Sequence, residues 1–487
     1  MLKLESRIAV AALVLAWAAV HGAPAPALAQ TYGCVPASPA DTTGEPDFAP
    51  ETDEAAVGPM GKLHHLVVIY LENHSFDNLY GWFAGANGLA SAGLNNTQRD
   101  LAGNVYATLP QTLTSPFPGD LPNKPFPIEA YVPAKNRIPD LVHRFYQEQA
   151  QIDGGKMDHF AAVSDAKGEV MGYYQTSGLP IARLAESYTL CDNFFHAAFG
   201  GSFLNHLWLV AAATPRFEKP TRAMIAQLDG AGNLLKDGEV TPDSFAVNTI
   251  MPMSMPHPDG VKPSECLCIR DLPTIGDRLS ERRVSWVWYS GGWDRAMAGQ
   301  ADPLFQFHHQ PFAYFARYAA GMPENVKHLK DENDFIAAIK SGRLPAVSFV
   351  KPLGPDNEHP GYADMVTGEK HVIYLLCMLQ NSPLWKNTAV LITYDEHGGL
   401  WDHVAPPKVD RWGPGSRVPS IVISPFAKRH HVDHTLYDTT SILAFIEKRW
   451  QVKALNSRDL RANPLSGAFD FAGSGASATP EPDLCSP

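Results

Sequence analysis

Short, nearly uninterrupted apolar runs alternate along this chain with longer stretches whose apolar positions recur every three or four residues. The runs at 66–71, 284–289, 346–350, 389–394 and 420–424 read as buried strands. The periodic stretches at 179–188, 273–283, 371–380 and 439–450 read as amphipathic helices. Strands alternating with such helices predict an α/β fold with a mostly parallel central sheet and helices on both faces. Residues 85–140 and 214–265 carry many prolines and glycines with little periodicity, which predicts long insertions over the sheet edge. No internal repeat is present.

Two of the apolar runs lead straight into carboxylates. Leu66 to Leu71 is followed by Glu72-Asn73-His74-Ser75-Phe76-Asp77, and Ala389 to Tyr394 by Asp395-Glu396-His397-Gly398-Gly399. A carboxylate at the end of a buried strand is costly unless something pairs with it, and ligands of open α/β sheets bind at that edge. Glu72, Asn73, Asp395 and Glu396 offer only oxygen donors, a set suited to one hard divalent cation of the calcium, magnesium or manganese type. The alternative for the first cluster is helix capping, with Asn73 or Asp77 at the start of a helix near Phe76.

A third segment, Phe199-Gly200-Gly201-Ser202-Phe203-Leu204-Asn205-His206, places two glycines before a serine. Glycines there permit a tight turn, and a hydroxyl beside a cation can act as a nucleophile without a histidine relay. The segment is not the G-x-S-x-G elbow, because Leu204 stands where that motif needs glycine. Histidines at 143, 159, 308, 309, 359, 403, 431 and 434 neighbour charged or aromatic residues. The pair His308-His309 and the loop Asp356-Asn357-Glu358-His359-Pro360 are the candidates for anion binding or leaving-group protonation.

Bulk properties narrow the functional class. A net charge of −12 and the lack of any basic run argue against nucleic-acid binding. Lys3 and Arg7, the apolar stretch 8–20 and Ala27-Leu28-Ala29 form an export-signal pattern, predicting a mature start near Gln30. The apolar stretch is short for a membrane span, and no arginine pair precedes it, which favours general secretion over the twin-arginine route. The expected organisation is a signal peptide at 1–29, an arm or linker at 30–60, a catalytic domain at 61–455 and a tail at 456–487. No stable membrane anchor is expected, and the location is periplasmic or extracellular.

Six cysteines in an exported chain can pair. Cys34 and Cys485 lie in the terminal segments and are candidates to tie them down. Cys266 and Cys268 are too close to pair with each other. Cys191 and Cys377 sit among apolar residues and read as buried free thiols. No paired C-x-x-C motifs point to a zinc site.

Taken together, these segments resemble the bacterial phosphoesterase family that contains phospholipases C and secreted acid phosphatases. Glu72 to Asp77 is similar to its E-N-x-S-F-D motif, and Gly154-Gly155-Lys156-Met157-Asp158 to its G-K-M-D segment, with His143 upstream. Thr393 to Gly399 followed by Asp402-His403-Val404-Ala405-Pro406-Pro407 is similar to Y-D-E-x-G-G…D-H-V-x-P-P, and Arg417-Val418-Pro419 and Ser424-Pro425 extend the likeness. It covers residues 62 to 450. The resemblance implies an alkaline-phosphatase-like core and phosphate-ester hydrolysis at one metal. Glu72, Asn73, Asp395 and Glu396 fall on its metal-ligand positions, and Ser202 on its nucleophile, which also touches the metal. His143, His308, His309 and His359 fall on positions lining the phosphate pocket of the acid phosphatase branch. His206 departs from the arginine often found in phospholipases, and His397 from a common asparagine.

The expectation is therefore a secreted phosphomonoesterase of the acid phosphatase type, acting through a phosphoseryl intermediate, with His359 or His309 as proton donor. Phospholipase C is the alternative, with a phospholipid in place of a small phosphate ester. The short chain after Trp450 and the His308-His309 pair favour the former. A sulfatase would need an arginine that Cys34-Val35-Pro36-Ala37-Ser38 lacks. An exported metal-binding protein without catalysis would have no need of Ser202.

Overall fold

The computed structural model describes residue 34 and residues 57–258, 260–471 and 481–486. The expected signal peptide and most of the expected arm lie outside the described residues. The main sheet has eight strands: β1 (His65–Leu71), β2 (Thr189–Cys191), β3 (Trp286–Ser290), β4 (Leu329–Asp331), β5 (Val347–Lys351), β6 (Thr388–Tyr394), β7 (Ser420–Ile423) and β8 (His431–Asp433). Their order is β4-β3-β5-β1-β6-β7-β2-β8. Only β7 runs against its neighbours; the other pairings are parallel. All five apolar runs became strands because both sheet faces are covered, so nearly continuous burial rather than alternation marks the central ones.

Register is what builds the site. β1 pairs with β6 from His65↔Thr388 to Leu71↔Tyr394, so the two strands finish level. On its other side β1 pairs with β5, with Ile69 opposite Val350. The next residues of β1 and β6 are Glu72 and Asp395, and β5 itself ends on Lys351. Three charged residues thus arrive together at the carboxyl edge of three adjacent buried strands.

Seven helices matter here: α1 (Phe76–Tyr80), α2 (Phe145–Ile152), α3 (Pro180–Ser187), α4 (Ser202–Ala211), α5 (Ile275–Glu281), α6 (Met365–Gln380) and α7 (Thr439–Trp450). α4 packs on α7, and α3 on α6. The capping expected of Asn73 or Asp77 falls to Ser75, whose Oγ accepts from Asn78 N at 3.2 Å. Asp77 instead accepts from His403 N at 2.7 Å and pairs with Arg417 at 3.0 Å. α6 starts at Met365, six residues before its apolar pattern, because Asp364 caps it through Thr367 N.

Disulfides join Cys34 to Cys268 and Cys377 to Cys485. Both terminal cysteines are tied down as expected, and Cys191 is a free buried thiol. Cys377 is a correction. Its apolar neighbours in sequence point elsewhere around α6, since adjacent helical residues lie on different faces, and Cys377 looks outward to the tail.

Glu447 on α7 is a buried carboxyl beside Asp459. Burial first, then the Asp459 carboxylate, push it up to about 9. Asp459 accepts from Leu455 N at 2.6 Å and Asn456 N at 2.9 Å, which leaves its oxygens facing backbone donors. A raised folded-state value contributes stability that is full below the unfolded value and is lost as pH rises towards 9. Glu447→Gln should raise the melting temperature at pH 8 by the equivalent of about 1 kcal/mol or more, with no gain at pH 4. Thermal melts at the two pH values check it; equal gains would reject it.

Candidate active site

Gly200 and Gly201 are required where the chain turns into α4. Gly200 has φ +89°, and a Cβ on it would lie 2.5 Å from Phe145 N. Asn205, one turn into α4, clamps the turn: its Oδ1 accepts from Ala198 N at 3.0 Å and its Nδ2 donates to Ala198 O at 3.0 Å. Ser202 is thereby the first residue of α4, 6% exposed, with its Oγ 3.4 Å from both Asn73 Oδ1 and Glu396 Oε1. Segments separated by more than a hundred residues meet at this hydroxyl.

Asn73 is oriented from its other end. Its Nδ2 lies 3.0 Å from His359 Nε2 and 3.3 Å from His143 Nε2, so Oδ1 faces Ser202. His359 Nδ1 and His143 Nδ1 face the carbonyls of Pro360 and Leu141, each at 2.5 Å. Gly398 (φ +63°) lets the Glu396 loop pass Asn73; a Cβ there would lie 2.2 Å from Asn73 O.

Glu72, Asp395 and Glu396 are all fully buried. Burial opposes ionisation of Glu72, but His309 and Lys351 outweigh it and hold that carboxylate well below its usual range. Lys351 Nζ lies 2.8 Å from Glu72 Oε1, and His309 Nε2 contacts the same oxygen. Burial, with neighbouring carboxylates adding to it, pushes Asp395 and Glu396 well above their usual range. Among the described residues Asp395 Oδ2 has no hydrogen-bond partner, and His206 Nδ1 lies 3.6 Å from it. With all three carboxylates ionised, the one lysine beside them would leave two negative charges, the charge a divalent cation carries. The donor set therefore fits a hard divalent ion held by Glu72, Asn73, Ser202, Asp395 and Glu396.

A cavity of about 300 Å³ opens in front of Ser202, lined by His143, His308, His309, His359, Arg144 and Tyr362 among others. His308 makes no hydrogen bond among the described residues and packs edge-on to His309 and His206. Burial holds His308 well below the usual imidazole value and His309 down to about 4. Tyr362 lies flat on His359, ring centroids 4.0 Å apart.

Six of the nine sequence-derived site residues, Glu72, His143, Ser202, His308, His309 and His359, line this cavity; Asn73 and Glu396 reach the Ser202 hydroxyl, and Asp395 approaches His206. The other flagged histidines do not: His403 pairs with Asp77, His434 with Asp192, and His159 approaches Asp153 at 3.8 Å, while His431 lies on β8. The G-K-M-D segment braces the site from behind, Met157 O accepting from Trp401 Nε1 at 2.8 Å. Sequence reasoning missed Lys351, Arg144, Tyr362 and Asn357, whose Nδ2 donates to Glu72 Oε2 at 2.8 Å. Lys351 was within reach, since it ends an apolar run just as the acidic clusters do.

A seryl hydroxyl among oxygen donors for a cation, facing a histidine-lined anion pocket, defines a phosphoric ester hydrolase. The chain belongs to the Phosphoesterase family, whose model matches residues 63–453. It is 27% identical to phospholipase C A of Mycobacterium tuberculosis, over 85% of this chain and 78% of that one. It is also 24% identical to non-specific phospholipase C1 of Arabidopsis thaliana, over 86% and 73%. A solved protein of the alkaline phosphatase superfamily from Vibrio parahaemolyticus aligns with a TM-score of 0.34 at 10% identity, covering 61% of this chain and 65% of that one.

Proposed function

We propose that the chain is an exported, metal-dependent phosphomonoesterase of the acid phosphatase type, working through a phosphoseryl intermediate. The observation that carries this is the pocket wall. Four imidazoles and Arg144 surround the approach to Ser202 in a cavity of about 300 Å³. A monoester dianion carries more charge to a small site than a diester does; Arg144, paired on one side with Asp237, and His308, which makes no hydrogen bond among the described residues, are the donors this wall turns to that charge. A choline headgroup calls for a cage of aromatic faces; here Tyr362 is already stacked on His359. The two disulfides, which persist in oxidising compartments, support export.

In this reading Ser202 attacks phosphorus in line, the ester bond to the alcohol breaks, and water later releases phosphate from the serine. A divalent cation held by Glu72, Asn73, Ser202, Asp395 and Glu396 supplies activation of the hydroxyl and charge neutralisation. Asn73, fixed by His143 and His359, aims its carbonyl at the reacting centre. Both nitrogens of His359 are engaged and His309 is held on Glu72, so proton delivery to the departing alcohol passes to His308, which takes up its proton when the phosphate dianion beside it offsets the burial that otherwise keeps the ring neutral. His308→Asn should lower turnover of an alkyl phosphate by about 10²-fold, and that of p-nitrophenyl phosphate far less, because nitrophenolate leaves without a proton. Equal losses on both substrates would remove His308 from that role.

The second reading, phospholipase C, rests on the names of the curated relatives. Rates on p-nitrophenyl phosphate and p-nitrophenylphosphocholine, each with and without chelator, separate the two. Phosphatase activity at least tenfold above the diester activity, lost with chelator and restored by a divalent salt, is the expected result. Preference for the phosphocholine ester would overturn the monoesterase assignment.

A further inference from the structure

Behind the nucleophile turn, and apart from the Ser202 pocket, three chemistry-bearing side chains meet at zero exposure: Glu148 of α2, His196, and His397. The two imidazole rings are parallel, 8° apart, with centroids at 5.4 Å. His196 Nδ1 lies 2.8 Å from Ala198 O, and His397 Nδ1 lies 3.0 Å from Leu400 O. A carbonyl only accepts, so each ring carries its proton on Nδ1 and turns Nε2 inward. Both Nε2 atoms face one oxygen, Glu148 Oε1, at 2.9 Å and 3.6 Å.

Lone pairs aimed at a carboxylate oxygen repel it, so a positive charge belongs between them. A proton on His196 Nε2 would satisfy that ring alone. His397 Nε2 would still lack a partner, which is its condition here. One cation bound by both nitrogens and the carboxylate satisfies both rings, on an oxygen that also accepts from Ser416 N at 2.8 Å. Donors on a tetrahedral ion at about 2.0–2.1 Å stand about 3.3 Å apart, and the two distances to Oε1 bracket that value. Backbone carbonyls holding the Nδ1 protons are the outer-shell arrangement that fixes a ligating tautomer.

We propose that Glu148, His196 and His397 bind one zinc-type cation in a structural site separate from the Ser202 pocket. Two imidazoles with one carboxylate suit zinc or a neighbouring transition metal better than the hard ion expected beside Ser202. Ser416, whose Oγ donates to Glu148 Oε1 at 3.1 Å, is an oxygen that can turn to such a cation as its fourth donor. Gly415 keeps the space open, since a Cβ there would lie 2.1 Å from His196 Cε1. Through Glu148 Oε2, which accepts from Gly200 N at 2.6 Å, the site braces the turn that presents Ser202. It also ties that turn to the Glu396 loop through His397.

The test is metal content in a full-length chain whose hard-ion site has been removed by Asp395→Asn and Glu396→Gln. After zinc loading and dialysis against chelator, one equivalent of zinc should remain. Adding His397→Asn should reduce it to below about a tenth of an equivalent. Zinc-edge X-ray absorption on the wild-type protein should show two imidazole ligands and one carboxylate, which needs no variant to fold. No retained zinc, zinc unaffected by His397→Asn, or an absorber without imidazoles would each overturn the site and leave a buried imidazolium on Glu148. None of these outcomes bears on the phosphatase reading, because no turnover is measured.

Discussion

Ser202→Ala is expected to lower turnover at least 10³-fold, about 4 kcal/mol in barrier, while the protein folds normally. The contacts of the Ser202 hydroxyl with Asn73 and Glu396 are long, at 3.4 Å each. Losing such contacts costs no more than about 1 kcal/mol of stability. The turn does not depend on the side chain, because Asn205 and the two glycines hold it. Alanine also suits the first turn of α4. Matched circular dichroism and melting curves should therefore accompany the loss. Acid quenching of the wild-type enzyme during turnover should trap up to one phosphoryl group per chain on Ser202. A variant keeping half its activity, or label on another residue, would remove Ser202 as the nucleophile.

Asp395→Asn is expected to separate activity from stability. Turnover should again fall by about 10³-fold or more, since a ligand facing Ser202 is lost. In excess chelator, however, the variant should melt higher than the wild type at pH 8. Burial and the nearby Glu72 and Glu396 carboxylates push Asp395 well above its usual range. A raised folded-state value means that stability present below about pH 4 is lost as pH rises, and a neutral amide escapes that loss. The asparagine oxygen can still accept from Glu396 N, now 2.8 Å from Asp395 Oδ1. Adding a divalent salt should reverse the order, because wild type then gains binding energy that the variant cannot. A wild-type protein that melts above the variant even in chelator would mean that Lys351 and the histidines already balance the carboxylates.

The same charge balance explains why the chemistry is legible in the amino-acid sequence. Buried strands do not end in carboxylates without a use for them, so Glu72 and Asp395 declare themselves by position. The five strands are legible because continuous burial leaves an unbroken apolar run. The cap at Ser75 and the partner of Cys377 are not. Several neighbouring polar residues can cap one helix, and a helix turns adjacent residues to different faces.

By itself the sequence marked five of the eight sheet strands and four of the helices, and it singled out the candidate oxygen donors, the glycine-serine turn and the candidate pocket histidines. The strands, helices and strand-end carboxylates follow from local rules, periodicity and the cost of burying charge, while the serine and histidine roles came from the motif resemblance. Only the tertiary structure decided that β5 and β6 flank β1, which brings Lys351 to Glu72 at 2.8 Å and places Asp395 level with Glu72 on the other side. Only it set Glu148 under Gly200 and opposite His196 and His397. Register and packing between distant segments are set by the whole sheet and its covering helices, and no stretch of chain encodes them alone.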